Sequence, residues 1–319
     1  MQLVTYRTSE SAESRVGVID GADVIDLAAA DVRHREAGQE PLPSSMLELL
    51  RLEDAGMARV RALHAAAAGG ADVRVPLSSA GVFAPLPRPN SLRDFMLVEE
   101  HVLNSMGAVP DEWYEIPVYW KGNCDAVYGH GDVVPWPSYT EKLDYELEVG
   151  AVIGRRVHRV SVEEAGACIA GFTIFNDWSA RDIQFREMKV GLGPGLGKDF
   201  ATSLGPTLTT PDAIDITTAR MQARVNGEVW SDGTLGSMRF SFAEVISHLS
   251  QEQTLHPGDV LGSGTIGRGC GLELDRWIAP GDVVELEVEG IGVLRNVAGT
   301  RDAVPAGVTP NEETEQCPT

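Results

Sequence analysis

Tyr145-Glu146-Leu147-Glu148-Val149 decides how this 319-residue chain is read. Residues two apart in a strand point to one face, so the pattern predicts a strand that turns Glu146 and Glu148 to one side while Tyr145, Leu147 and Val149 pack behind. The chain carries its own control. Glu285-Leu286-Glu287-Val288-Glu289 alternates in the same way, and there a solvated strand face is the expected reading. An isolated Glu-x-Glu strand is by default a wet face; what sets the first apart is the company it keeps.

Downstream, the run from Gly171 to Gln184 begins apolar and β-rich and passes into a segment that can be helical, with Asn176 or Asp177 as its N-cap. A helix begun there sets Asp177, Arg181 and Gln184, at spacings of four and seven, on one face. A carboxylate, a guanidinium and an amide would then point the same way; the plain alternative is a surface helix with one ordinary ion pair. Next comes Gly191-Leu192-Gly193-Pro194-Gly195-Leu196-Gly197-Lys198-Asp199. It is not a phosphate loop, because Leu192 stands where that motif needs glycine and Asp199 where it needs Ser or Thr. Nor is it a dinucleotide fingerprint, since Lys198 occupies the third glycine's place. It reads as a mobile loop delivering one lysine to an anion, or as a plain turn.

Upstream, Ser91 to His101 reads as a short helix that sets Asp94 and His101, seven apart, on the same side. A histidine facing a water is a good general base because its ordinary pKa is ~6.5. Ser263-Gly264-Thr265 and the segment Gly269 to Leu274, with Glu273, add a hydroxyl and a further carboxylate among turn-forming glycines.

Taken in order over roughly residues 84–297, these segments, with the Asn226-Gly227 turn and Pro257-Gly258-Asp259-Val260, resemble the fumarylacetoacetate hydrolase family. The resemblance implies that Glu146, Glu148 and Asp177 bind a divalent cation, with Asp94 as a further acidic ligand. It implies His101 as the base that activates water, Glu273 as the carboxylate that orients it, and Arg181, Gln184 and Lys198 as contacts to the substrate's oxygens. Thr265 is implied as a contact to the substrate carboxylate. Met96 and Trp120 fall about where the name-giving branch has tyrosines, so the substrate wall at Trp120 should be more apolar. Many smaller members have a glutamate three residues after the histidine; here that position is Asn104, which leaves Glu273 as the partner.

An all-carboxylate site suits Mg²⁺ or Mn²⁺, with Ca²⁺ as a further candidate, and the lack of thiolate or paired-histidine spacing argues against zinc there. The implied activity is hydrolysis of a C–C bond in a 1,3-dicarbonyl acid, an acylpyruvate or a fumarylacetoacetate-like compound. His101 would activate water, while the cation, with Lys198 or Gln184, would stabilise the leaving enolate. On the same metal site, isomerisation, tautomerisation or decarboxylation of an oxo-acid is the alternative, and a metal-dependent small-acid binding protein is a third reading.

Bulk properties bound the partners. With 26 basic against 47 acidic residues the formal charge is −21, which excludes nucleic acid and anionic membranes as natural partners and leaves a small anion dependent on local positive charge. No run is long enough to cross a bilayer, the N-terminus lacks a signal-peptide core, and four scattered cysteines suit reduced thiols, so a cytoplasmic protein is expected. The fold expected is α+β and mostly β. A small α+β N-terminal domain (1–78), with a hairpin at 16–25 and helical pattern at 44–68, precedes the family's mixed-β catalytic domain, a β-sandwich roll (79–304). A polar, frayed tail (305–319) follows. Family members are commonly homodimers, and the resemblance implies the same here.

Overall fold

The structure is a computed structural model that describes residues 1–301 apart from 10, 68 and 69; the tail expected at 305–319 lies outside the described residues. It is mostly β with mixed sheets, as the sequence leads one to expect. The larger sheet has twelve strands. Its main path runs Arg74–Pro76, Asp23–Asp26, Ser11–Asp20, Gln2–Thr8, Thr202–Thr209, Ile169–Asp177, Leu147–Ile153, Asp259–Gly262, Ser91–Phe95 and Tyr119–Gly122. A second sheet orders Glu228–Gly233, Met221–Val225, Val283–Val288, Gly292–Arg301 and Val133–Trp136.

The N-terminal hairpin forms where expected, with Gly21 at φ 64 in the turn between Ser11–Asp20 and Asp23–Asp26. The helical pattern resolves into Met46–Leu50, capped by the Ser45 side chain on Glu48 N, and Glu53–Ala66. This N-terminal unit shares the larger sheet with the rest of the chain, because Gln2–Thr8 pairs with Thr202–Thr209.

Two cores flank the strand Leu147–Ile153. Leu147, Val149, Ala151 and Ile153 face a core shared with Ala223, Val225, Leu286 and Leu294 of the second sheet and with the helix Phe242–Ser250. On the opposite face Val152 joins Phe175, Val260 and the apolar side of the N-terminal helices. Every residue of the strand is buried. Glu148 belongs to the face of Val152, so its carboxylate enters the interior rather than the solvent.

Two local expectations are overturned. Ser91 to His101 is not one helix: Ser91–Phe95 is a strand, and a helix begins only at Glu99 and ends at Met106. Parallel pairing with Asp259–Gly262, which aligns Asp94 with Gly262, outweighs the local helical pattern. Likewise the strand Ile169–Asp177 continues through Asp177, and the helix starts at Arg181, with Ala180 at its N-cap. Asp177 therefore does not share a helical face with Arg181 and Gln184. Its pairing with Thr202 holds it in the sheet.

Candidate active site

Four carboxylates meet where strand ends of the larger sheet converge. Asp94, Glu146, Glu148 and Asp177 each offer an oxygen within 4.8 Å of the others, and all four residues are buried. Glu146 precedes its strand, bridged to Cys270, and its N–H donates to Asn176 Oδ1 at 2.9 Å. Glu148 accepts from Gly264 N at 3.0 Å and from Thr265 Oγ1 at 3.3 Å. Asp94 Oδ2 accepts from Trp120 Nε1 at 3.2 Å. Gly262 lies between Asp94 and Glu148, and a Cβ there would collide with Asp94 Oδ1.

Such crowding opposes ionisation. Burial, then the neighbouring charge of Asp94, pushes Glu148 well above the ordinary carboxylate range. Burial also raises Asp177 and Asp94, although Lys198 works against it at both. Glu146 goes the other way: burial opposes its charge, but Lys198, Arg181 and His101 together hold its carboxyl low. Lys198 Nζ bonds Glu146 Oε2 at 2.6 Å and also Asp177 Oδ2, and these two carboxylates hold its ammonium above the usual lysine range against the opposing effect of burial.

One ammonium does not complete this group. Asp94 Oδ1 and Asp177 Oδ1 are buried without a hydrogen-bond partner. Orphaned anionic oxygens, an all-oxygen donor set and the space kept by Gly262 fit a hard divalent cation. Asp94, Glu146, Glu148 and Asp177 are the residues that could hold it.

Asp94, Glu146 and Glu148 line a cavity of about 220 Å³ together with His101, Arg181, Gln184, Lys198, Thr265 and Trp120, and Asp177 stands behind them, bonded to Lys198. The structure thus gathers the site residues named from sequence, with Glu273 behind His101. His101 Nδ1 is 3.0 Å from Glu273 Oε2. Glu273 Oε1 in turn accepts from Asn104 Nδ2 and Arg268 N, both at 3.0 Å. Burial works to raise Glu273, but the bond to His101 and its other donors hold it below the ordinary range. With Nδ1–H directed to this carboxylate, Nε2 is the basic nitrogen of His101.

Arg181 is committed to the protein. Its Nε bonds Asp144 Oδ2 at 2.9 Å, its second terminal nitrogen lies 2.8 Å from Glu146 Oε1, and its first donates to Gln184 Oε1 at 3.1 Å. The glycine loop is tied down rather than free, because Glu187 Oε2 accepts from Gly195 N at 2.8 Å and Gly197 N at 3.1 Å.

Asp144 was not singled out from sequence, although it stands two residues before Glu146. Fully buried, it accepts from Gly271 N at 2.7 Å and Leu272 N at 3.0 Å as well as from Arg181. It thereby joins the start of the Arg181–Met188 helix to the short helix bearing Glu273. Gly262 and Glu187 were also missed; neither belongs to a spacing pattern, since each acts through a backbone approach that only the fold creates.

Comparison with known proteins places this arrangement among relatives. The model of the fumarylacetoacetate (FAA) hydrolase C-terminal family matches residues 93–298. The chain is 32% identical over 293 residues to oxaloacetate tautomerase YisK of Bacillus subtilis (strain 168), covering 88% of this chain and 95% of that one. It is 33% identical over 304 residues to the mitochondrial oxaloacetate tautomerase FAHD2A of Bos taurus, covering 93% and 91%. Among solved structures it shares its fold with a fumarylacetoacetate hydrolase from Exiguobacterium antarcticum (TM-score 0.72, 23% identity, 94% and 100% covered). It shares it also with a Sphingobium maleylpyruvate hydrolase in complex with manganese(II) and pyruvate (TM-score 0.70, 22% identity, 94% and 100% covered). Among the described residues, no helix is long and apolar enough to cross a membrane.

Proposed function

We propose, from the premise that this chain belongs to the fumarylacetoacetate hydrolase family, that it is a divalent-cation-dependent enzyme interconverting the keto and enol forms of a small 2-oxo acid such as oxaloacetate. The observation that carries this reading is His101, backed by Glu273 at 3.0 Å, lining the same cavity as Asp94, Glu146 and Glu148 of the carboxylate group. The relatives named as oxaloacetate tautomerases support the choice of substrate. Mg²⁺ or Mn²⁺ suits the donor set, held by Asp94, Glu146, Glu148 and Asp177. When bound, such a cation supplies Lewis-acid polarisation of the substrate's oxygens.

The chain's own groups do the rest. Neutral His101 takes a proton at Nε2 from the carbon beside the keto group, and Glu273 at Nδ1 stabilises the imidazolium that results. The proton is then delivered to the enol oxygen, and the reverse sequence restores the ketone. Gln184 and Lys198 lie where they can donate to that oxygen, while Arg181 holds Glu146 and Gln184 in register. Thr265 shares its hydroxyl between Glu148 and the cavity.

The test is to follow the ultraviolet absorbance of enol oxaloacetate with chelator-stripped protein, before and after Mg²⁺ or Mn²⁺. Metal-dependent acceleration of its decay, lost in His101→Ala by about 10²–10⁴-fold, is the expected result. A rate indifferent to both metal and His101 would overturn the reading.

A second reading is favoured by the cavity's apolar side, which includes Met96, Phe185 and Met188 and offers a place for an acyl chain. In that case His101 activates water and an acylpyruvate is cleaved to pyruvate and a free acid. Product identification with acylpyruvates of rising chain length separates the two.

A further inference from the structure

Beside the carboxylate group lies a second set of ligand-bearing side chains with different chemistry. His101, Cys270 and Glu273 offer a nitrogen, a sulfur and an oxygen within 4.8 Å of one another. Glu273 Oε2 is 3.0 Å from His101 Nδ1 and 3.4 Å from Cys270 Sγ. Bonds of about 2.0–2.3 Å in a tetrahedral zinc site imply ligand-to-ligand edges of about 3.3–3.6 Å, so both measured edges need only small adjustment. Asn104 and Arg268 N hold Glu273 from its other oxygen, the kind of outer support that keeps a ligating carboxylate oriented. Cys270 is fully buried and His101 is 6% exposed, and of the three only His101 reaches the cavity, which is the route by which a cation would enter. Neither Cys124 nor Cys168 belongs to such a group among the described residues.

We propose that His101, Cys270 and Glu273 form a regulatory site for a borderline-soft divalent cation of the zinc and cadmium kind, distinct from the four-carboxylate site, and that filling it switches the enzyme off. The two sites sort cations by donor type. Carboxylates alone favour hard ions, whereas a set with imidazole and thiolate favours softer ones. Binding releases the thiol proton to solvent and moves the imidazole hydrogen from Nδ1 to Nε2; nothing is oxidised or reduced. His101, with the cation on Nδ1 and a proton on Nε2, then has no lone pair with which to take a proton. The inhibition rests on the oxo-acid reading above; the cation site itself does not.

The experiment is a cadmium titration of the full chain in excess Mg²⁺, reading both the ultraviolet thiolate-to-cadmium band and oxaloacetate turnover. The band should saturate at one cadmium per chain while turnover falls by at least about tenfold, and Cys270→Ser should lose the band and resist inhibition while keeping its turnover without cadmium. A band of equal size in Cys270→Ser, or none in the unmodified protein, overturns the site. Inhibition equally strong in Cys270→Ser assigns the effect to the carboxylates and overturns the switch. If Cys270→Ser does not fold, Glu273→Gln is titrated by the band alone; at least about tenfold weaker cadmium binding is expected, and unchanged binding overturns the site. A Cys270-dependent band in a protein that turns over no oxo-acid leaves the cation site standing and sinks the oxo-acid reading instead.

Discussion

Two strands of this molecule carry the same tripeptide, Glu-Leu-Glu, at 146–148 and at 285–287. In both, the leucine is fully buried in the core between the sheets. The glutamates part company. Glu285 and Glu287 lie on the outer face of the second sheet, 27% and 42% exposed at the side chain, and share Arg224 with water. Glu146 and Glu148 are 4% and 0% exposed, among other carboxylates. One sheet face is open and the other is covered, and that alone turns a solvated pattern into a high-energy one. A buried anion needs a counter-charge, whereas an exposed pair gains at most about 1 kcal/mol from its neighbours.

The comparison breaks most readily at its centre. Glu148→Gln should lower divalent-metal affinity by more than about 10²-fold and remove metal-dependent turnover. It should also raise the melting temperature of the metal-free protein, because a buried, repelled carboxylate is gone. Glu287→Gln should leave activity intact and shift stability by less than about 0.5 kcal/mol. Equal effects at both positions, measured by metal titration and thermal melting, would dissolve the distinction.

Asp144 sharpens it from another side. This buried acid is met by Arg181 and two backbone N–H groups, so Asp144→Ala should cost about 3–5 kcal/mol in chemical denaturation by leaving Arg181 with one carboxylate fewer. Gly262→Ala should cost about 1–3 kcal/mol and weaken the metal-induced rise in melting temperature, because the new methyl meets Asp94 Oδ1. If the rise is untouched, Asp94 is not a ligand.

The site's metal dependence should be least touched at Asp26, a buried carboxylate satisfied by protein groups alone. Burial works to raise it, but bonds from Ala29 N, Arg15 and Tyr6 prevail and hold it below the usual range. Its contribution to stability is therefore present above the unfolded value of about 3.9 and lost as pH falls through the lowered folded value. Asp26→Asn should cost about 1–3 kcal/mol near neutrality and flatten the acid limb of a stability–pH curve, with no change in metal dependence.

Much of the site was legible because its residues recur in a fixed order, and because residue type limits chemistry: carboxylates can hold hard cations, and a histidine near neutrality can move protons. Hence Asp94, Glu146, Glu148, Asp177, His101 and Lys198 could be named together before their positions were known. The paths to two of them were misread. Asp94 and Asp177 were assigned to helices, but hydrogen-bonded neighbours distant in sequence, Gly262 and Thr202, hold both in strands. Asp144 extends the alternation of Glu146 and Glu148 by one step, but its partners Arg181, Gly271 and Leu272 are distant in sequence; Gly262 and Glu187 left no trace in any spacing, since what they meet is brought to them only by the fold.

The sequence by itself determined the mostly β class, the family and the kinds of group in the site, because alternation, turn residues and side-chain chemistry are local properties. Only the tertiary structure decided which Glu-Leu-Glu is buried, which oxygens are left without partners and which carboxylate holds His101. Those depend on what covers each strand face, and burial is a property of the whole chain rather than of any stretch within it.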